Sequence, residues 1–316
     1  MYTLGYDIQI GDYKLGMLDR VQIVKSVEVL ADTATITLPG AEYNRALEVE
    51  QKIHRGDRVV IRIGYQEEGL VEEFSGWLQR IGTDGGSITL ECEDDLFRAR
   101  VPVENKEYKN IRLEDLLKKV MEQVGDFTVS CAYTWTYEKF VCNTATAYDV
   151  LKKVQEESGA DIWLDGNTLN VYPPATKVDE NVLYDFGLNI ESSDLTYRRS
   201  EDRKVQVVVK ALLPDGKVKE LEVGTPGGDR IEVRSATGDE ASMKQRGEAE
   251  VKRRSFDGYD GNITTWLVPQ CRPGCSAELH DPDYEYKDGK YYVVAVTTEL
   301  SKEGGKRTIE LGFRLS

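Results

Sequence analysis

Apolar and polar residues alternate with a period of two through much of the first hundred positions. Val59, Ile61 and Ile63 are separated by Val60 and Arg62, and Ala34, Ile36 and Leu38 by Thr35 and Thr37. Strand side chains point alternately to the two faces of a sheet, so this spacing predicts strands with one buried face. The segments 21–29, 34–38, 58–65, 74–81 and 87–92 carry that pattern or are rich in β-branched residues. Asp84-Gly85-Gly86 supplies a hairpin turn, because glycine takes the positive φ such turns need. Short strands divided by turn signals predict a sandwich or barrel.

The period changes after residue 98. Leu113, Leu116, Leu117, Val120, Met121 and Val124 lie three and four apart, which puts them on one stripe of a helix. Asn110 is the expected N-cap and Gly125 the residue just past the end. A second helix is expected from Thr146, which with Asp149 has the spacing of a capping box, through Ala147, Val150, Leu151 and Val154 to Gly159. Asp165-Gly166-Asn167 then joins 161–164 and 168–172 as a hairpin that Pro173-Pro174 ends. Beyond 174 the β pattern returns. It covers 204–212 and 217–223 around a Pro214-Asp215-Gly216 turn, then 261–268, 276–281, 290–301 and 306–315. One helix is expected over 239–254, with Asp239 and Glu240 near its start and Lys252, Arg253 and Arg254 near its end, as the helix dipole favours.

The signals repeat in order near the two ends. Gly56-Asp57, a strand, an acidic turn, the Gly76-Trp77 strand and the Gly85-Gly86 turn lead into a last strand. Pro273-Gly274, a strand, an acidic turn, the Gly289-Lys290 strand and the Gly304-Gly305 turn do the same. The expected fold class is therefore mainly β with an α+β insertion. Residues 1–98 and 174–316 form two related β modules, the second with one flanking helix, around a small α+β domain at 99–173.

The chain has 316 residues, which at roughly 100–200 per domain allows two or three domains. Its formal charge is −15, from 41 basic and 56 acidic residues, a balance that disfavours binding to duplex DNA or to an anionic membrane. No apolar run approaches the roughly 20 residues that span a bilayer. The start, Met1 to Asp7, lacks the basic and apolar regions of a secretory signal, so no membrane insertion is expected. Five scattered cysteines fit synthesis in a reducing cytoplasm better than a disulfide framework.

Catalytic sets are scarce. The only histidines are His54 and His280, and a Ser–His or Cys–His site would have to use one of them. Cys271, Cys275 and His280 offer three ligand types where a structural zinc site takes four in paired spacings, and Pro273-Gly274 reads as a turn without metal. Gly224-Thr225-Pro226-Gly227-Gly228-Asp229 lacks the Gly-Lys-Ser/Thr of a phosphate loop and reads as a hairpin end. Glu91, Glu93, Asp94 and Asp95 do not alternate as calcium ligands do. Tyr133, Trp135 and Tyr137 alternate along one expected strand face, which suits packing more than stacking on a sugar or base. No catalytic, cofactor or metal residue is expected.

Taken in order, these segments resemble a known family. His54 to Tyr65 and Phe74 to Leu78 resemble the first module of the late-control D family, the baseplate hub proteins of contractile-tailed phages and the hub part of type VI secretion spikes. Ala147 to Val154, Gly159 to Leu164 and Leu169 to Pro173 are similar to that family's inserted segment. Val268-Pro269, Pro273 to Ala277, Gly289 to Val296 and Gly304 to Thr308 are similar to its second module. The resemblance implies two tube-type β-barrel or sandwich modules and a homotrimer that adapts a six-fold tail tube to a three-fold spike. The implied partners are the tail tube protein, a separate spike protein (the chain stops after the second module) and other baseplate proteins. DNA would pass through the lumen unbound, and a trimer would triple the charge of −15. The implied place is a virion or injection particle assembled in the bacterial cytoplasm. A cell-wall-binding or cell-wall-degrading tail protein is the alternative, resting on the insertion and its aromatics. A generic scaffold of tandem β domains is a third.

Overall fold

A computed structural model describes residues 2–40, 49–84, 87–174, 176–178, 180–213 and 216–315. The first stretch holds β1 (Leu4–Ile10), β2 (Tyr13–Lys14), β3 (Arg20–Ser26), β4 (Thr33–Leu38), a short α1 (Val49–Lys52), β5 (Arg58–Tyr65), β6 (Gly69–Asp84) and β7 (Ser87–Glu93). The middle holds β8 (Lys106–Arg112), α2 (Leu113–Met121), β9 (Thr128–Cys131), β10 (Thr136–Cys142), α3 (Ala147–Ser158), β11 (Asp161–Asp165) and β12 (Thr168–Tyr172). The last holds β13 (Asn181–Asp185), β14 (Ile190–Arg198), β15 (Val205–Leu212), β16 (Val218–Gly224), β17 (Asp229–Ser235), α4 (Glu240–Arg254), β18 (Gly258–Trp266), β19 (Ser276–His280), β20 (Gly289–Ser301) and β21 (Gly304–Arg314). The architecture is mainly β with small α+β parts.

The alternation places the strands as expected. Val59, Ile61 and Ile63 of β5, Ala34, Ile36 and Leu38 of β4, and Ile88, Leu90 and Cys92 of β7 all face one core. Burying each Val, Leu or Ile side chain stabilises by roughly 1.5–3 kcal/mol, which fixes the face and therefore the register. The first β unit has the lateral order β1-β5-β6-β7-β4-β3, and the second has β13-β19-β20-β21-β18-β14. Position for position the second repeats the first. One difference is that β13 runs parallel to β19, whereas β1 is antiparallel to β5.

The two units are not separate bodies. β3 pairs with β20 from Arg20↔Ser301 to Ser26↔Ala295, so a single sheet of 13 strands runs through both. Leu267 and Leu300 of the second unit pack into the core of the first.

The middle segment has a core of its own, built on Leu113, Leu116, Leu117 and Val120 of α2 with Val150, Leu151 and Val154 of α3. Thr146 and Asp149 form the expected capping box, and Gly159 ends α3 at φ 67, in the left-handed region. The expected start of α2 is corrected. Asn110 belongs to β8, which pairs with β10 as far as Arg112↔Thr136, so the helix begins only after Arg112. α2 also ends at Met121, before Val124, and Gly125 lies beyond a final turn that closes on the Met121 carbonyl.

Residues 205–254 form a further small α+β lobe with its own core, inserted between β14 and β18. There β15 sits between β16 and β17. The segment 224–229 is thus corrected from a hairpin end to a link between strands that flank a common neighbour. The expected turns at Asp84-Gly85-Gly86 and Pro214-Asp215-Gly216 fall at Gly85, Gly86, Pro214 and Asp215, which lie outside the described residues.

Candidate functional site

The residues with most at stake lie where the two β units and the middle segment meet. On the outer face of the β3–β20 junction, Glu299 Oε1 accepts from Arg20 Nη2 and from Gln22 Nε2, each at 2.6 Å. On the core side, Arg307 takes a position that β21 otherwise fills with Ile309, Leu311 and Phe313, and it is 1% exposed. Its Nη1 donates to the Leu267 and Pro269 carbonyls at 2.7 and 2.9 Å, and its Nη2 meets Glu73 Oε1 at 2.5 Å. A buried guanidinium is tolerated only when its donors are satisfied, and these bonds tie β21 of one unit to β6 of the other.

Beside this junction is a polar cleft of about 470 Å³, bordered by Asp32, Arg58, Asp94 and Asp95 of the first unit, Trp163 of the β11–β12 hairpin and Arg272 of the second unit. Arg58 reaches both oxygens of Asp95 at 2.5 and 3.3 Å, and Trp77 Nε1 donates to Asp95 Oδ1 at 2.7 Å. Asp94 Oδ2 accepts the Asp32 backbone N–H at 3.1 Å. Loss of water pushes Asp32 up to about 6, and burial together with the nearby Asp32 charge holds Asp94 well above the usual carboxylate range. In the cleft Arg58 and Asp95 are paired with each other, while Asp32 and Asp94 accept backbone amides.

The candidates from the sequence are dispersed. His54 is exposed in the first unit, while His280 lies in β19 with Nδ1 2.8 Å from Asp288 Oδ2, an ion pair that raises its pKa. Cys271 and Cys275 are buried in the core of the second unit. A hydrogen bond from the Cys271 thiol favours the Cys275 thiolate and lowers the pKa of Cys275. The acidic run diverges: Glu91 pairs outward with Arg80, Glu93 is buried against Arg100, Asp94 caps the turn at Leu96, and Asp95 holds Arg58. In the segment 224–229, the Asp229 and Thr225 amides bond to the Lys204 and Val205 carbonyls, so its backbone donors are used within the lobe.

The aromatic trio also differs from expectation. Only Tyr137 lies on a strand, and Tyr133 and Trp135 lie in the extended link between β9 and β10. All three are at most 4% exposed and stack edge to face at 6.0 and 5.9 Å. They are core, which removes the aromatic support for a carbohydrate-binding surface.

What the sequence did not mark is the edge of the sheet. Among the described residues β14 pairs only with β18, and its Glu191, Ser192, Ser193 and Asp194 are exposed. Polar residues on both faces hide it from a period-two search. Among the described residues the site thus consists of ion-paired seams within the chain and a polar strand, β14, at the end of the sheet. Among the described residues, no helix is long and apolar enough to cross a membrane.

No family model matches the sequence, and no curated protein matches it. Solved structures do. The chain resembles the tail protein from Neisseria meningitidis MC58 with a TM-score of 0.67 and 16% identity, over 99% of this chain and 97% of that one. It resembles the 43 kDa tail protein of prophage MuSo2 from Shewanella oneidensis with a TM-score of 0.69 and 13% identity, over 98% of both chains. A type VI secretion component from E. coli, itself described as similar to phage T4 tail proteins, matches with a TM-score of 0.60 and 9% identity, over 98% of this chain and 77% of that one. The chain therefore has the fold of phage tail proteins and of type VI secretion components, and the likeness read from its sequence is a likeness of fold.

Proposed function

We propose that the protein is a structural, non-enzymatic hub subunit of a phage tail or related injection particle, acting as a homotrimeric ring. The observation that carries this reading is the doubled β unit, two copies with one strand order joined edge to edge in one chain. Three such chains present six quasi-equivalent units, which is what a six-fold tube needs from a three-fold body. Its partners are then the tail tube on one face, a spike on the other, and neighbouring baseplate proteins, and its place is the particle's baseplate. The charge of −15 per subunit keeps a lumen from retaining DNA. The chain divides in this reading into 1–98, 99–173 and 174–316. Light scattering with negative-stain imaging tests it. A mass of three subunits and ring-shaped particles are expected, and a strict monomer at high concentration would refute it.

A further inference from the structure

The turn before β19 brings two cysteines together. Cys271 and Cys275 flank Arg272-Pro273-Gly274, and the Cys275 amide closes the turn on the Arg272 carbonyl at 3.2 Å. Gly274 takes φ 88, a conformation open to glycine at little cost. The turn is stitched to β20: the Gly274 amide bonds to the Val293 carbonyl at 2.9 Å, and the Val293 amide to the Cys275 carbonyl at 3.0 Å. Both thiols lie in the core of the second unit, close enough for the Cys271 thiol to hydrogen-bond the Cys275 thiolate. The other three cysteines stand apart. Cys92 is in the core of the first β unit and Cys142 in that of the middle segment, with Cys131 packed against the latter. Burial raises the thiol pKa of all three, as it does for unreactive core cysteines.

Polar groups surround the pair. Among the described residues, the Tyr184 hydroxyl is buried with no oxygen or nitrogen partner, and it lies beside Cys271. The Arg307 guanidinium acts on Cys271 and that of Arg272 on Cys275, each favouring the thiolate. Ion pairs with Glu73 at 2.5 Å and with Glu180 at 3.6 Å hold these two guanidinium groups in place. Cationic groups around a thiol are the setting of a reactive cysteine rather than of an inert one. Cys271 can also be reached. It borders a cavity of about 270 Å³ together with Lys25, Gln270, Arg272 and Arg307, whereas Cys275 is fully buried. We propose that Cys271 and Cys275 are an oxidisable dithiol, which a small peroxide entering this cavity closes into a disulfide.

The Cys271 thiolate attacks one peroxide oxygen, the O–O bond breaks, and Cys271 becomes a sulfenic acid as hydroxide leaves. The Cys275 thiolate then attacks the Cys271 sulfur, the S–O bond breaks, and the S–S bond forms as a second hydroxide leaves. The two thiol protons turn the hydroxides into two waters, and two electrons pass from the thiols to the peroxide. Cys275 is the resolving thiol, because its thiolate is the favoured one and the oxidant does not reach it. The bond acts on the junction of the two units. Leu267 and Pro269, whose carbonyls accept from Arg307, lie just before Cys271, and Cys275 is bound to β20. The disulfide therefore pins the acceptors of Arg307 to the sheet and stiffens that junction. A reducing cytoplasm leaves the pair as thiols, and an oxidising medium closes it.

This inference needs neither the ring nor any partner, and its test uses the full chain. The reduced protein is treated with hydrogen peroxide, its remaining thiols are alkylated in denaturant, and its peptides are weighed by mass spectrometry. Three of the five thiols should be alkylated, and the peptide bearing Cys271 and Cys275 should be two hydrogens lighter. The oxidised chain should melt about 3 °C higher than the reduced one, and Cys271→Ser/Cys275→Ser should show no such difference. Cys275→Ser alone should stop at a sulfenic acid on Cys271, captured by a dimedone reagent. Five alkylated thiols, a disulfide between other cysteines, or a sulfinic acid on Cys271 without a disulfide would overturn the proposal. A 271–275 disulfide with an unchanged or lower melting temperature would support the oxidation and refute the stiffening.

Discussion

Replacing Asp32 with Asn should stabilise the protein at neutral pH. Asp32 has its pKa raised from 3.8 to about 6, chiefly by loss of water, next to a second raised carboxyl at Asp94. For an acid whose folded pKa exceeds its unfolded value, the folded state binds more protons in the window between the two. The stability it contributes is full below about pH 4 and is lost as pH rises through about 6. At roughly 1.36 kcal/mol per pKa unit, the lost stability reaches about 3 kcal/mol. Asp32 borders a water-accessible cleft, so about 1–2 kcal/mol is the expected size after screening. Asn keeps the carbonyl oxygen that accepts the Ser26 amide at 3.2 Å and removes the charge that also burdens Asp94. Urea unfolding followed by circular dichroism should show Asp32→Asn more stable by that amount at pH 8, with the gap closing by about pH 4. An equal or less stable variant at pH 8, or a gap that does not change with pH, would refute the reasoning.

Two further outcomes follow from the seams and the core. Arg307→Met should cost about 3–5 kcal/mol in the same unfolding assay, because it strands Glu73 without its cation, and adding Glu73→Gln should recover most of the loss. Trp135→Ala should cost about 3–5 kcal/mol by opening a cavity between Tyr133 and Tyr137, and it should leave retention on purified peptidoglycan unchanged, as a core residue requires.

Legibility in the sequence followed burial. β4, β5 and β7 each bury one face, so the period of two shows them directly. The capping box at Thr146 and the glycine at 159 are local chemistry, and α3 has the bounds they imply. β14 lacks an alternating pattern because it is exposed on its free side, with Ser192 and Asp194 on one face and Ser193 on the other. β1 also alternates, with Asp7 and Gln9 between Tyr6, Ile8 and Ile10. The joining of the units by β3 and β20 was not readable, since partners so far apart in sequence leave no local spacing. Arg307 shows the same limit: in the sequence it is one more basic residue, and only the fold turns it inward. The resemblance in segment order supplied the fold that composition and periodicity left open between sandwich and barrel.

A ring built from a doubled β unit has a defined mass and symmetry. The most direct measurement is the mass and symmetry of the purified full chain, by light scattering and averaged electron micrographs. Three subunits in a closed ring with six quasi-equivalent lobes are expected. A monomer across the whole concentration range, or particles with neither three-fold nor six-fold symmetry, would contradict it.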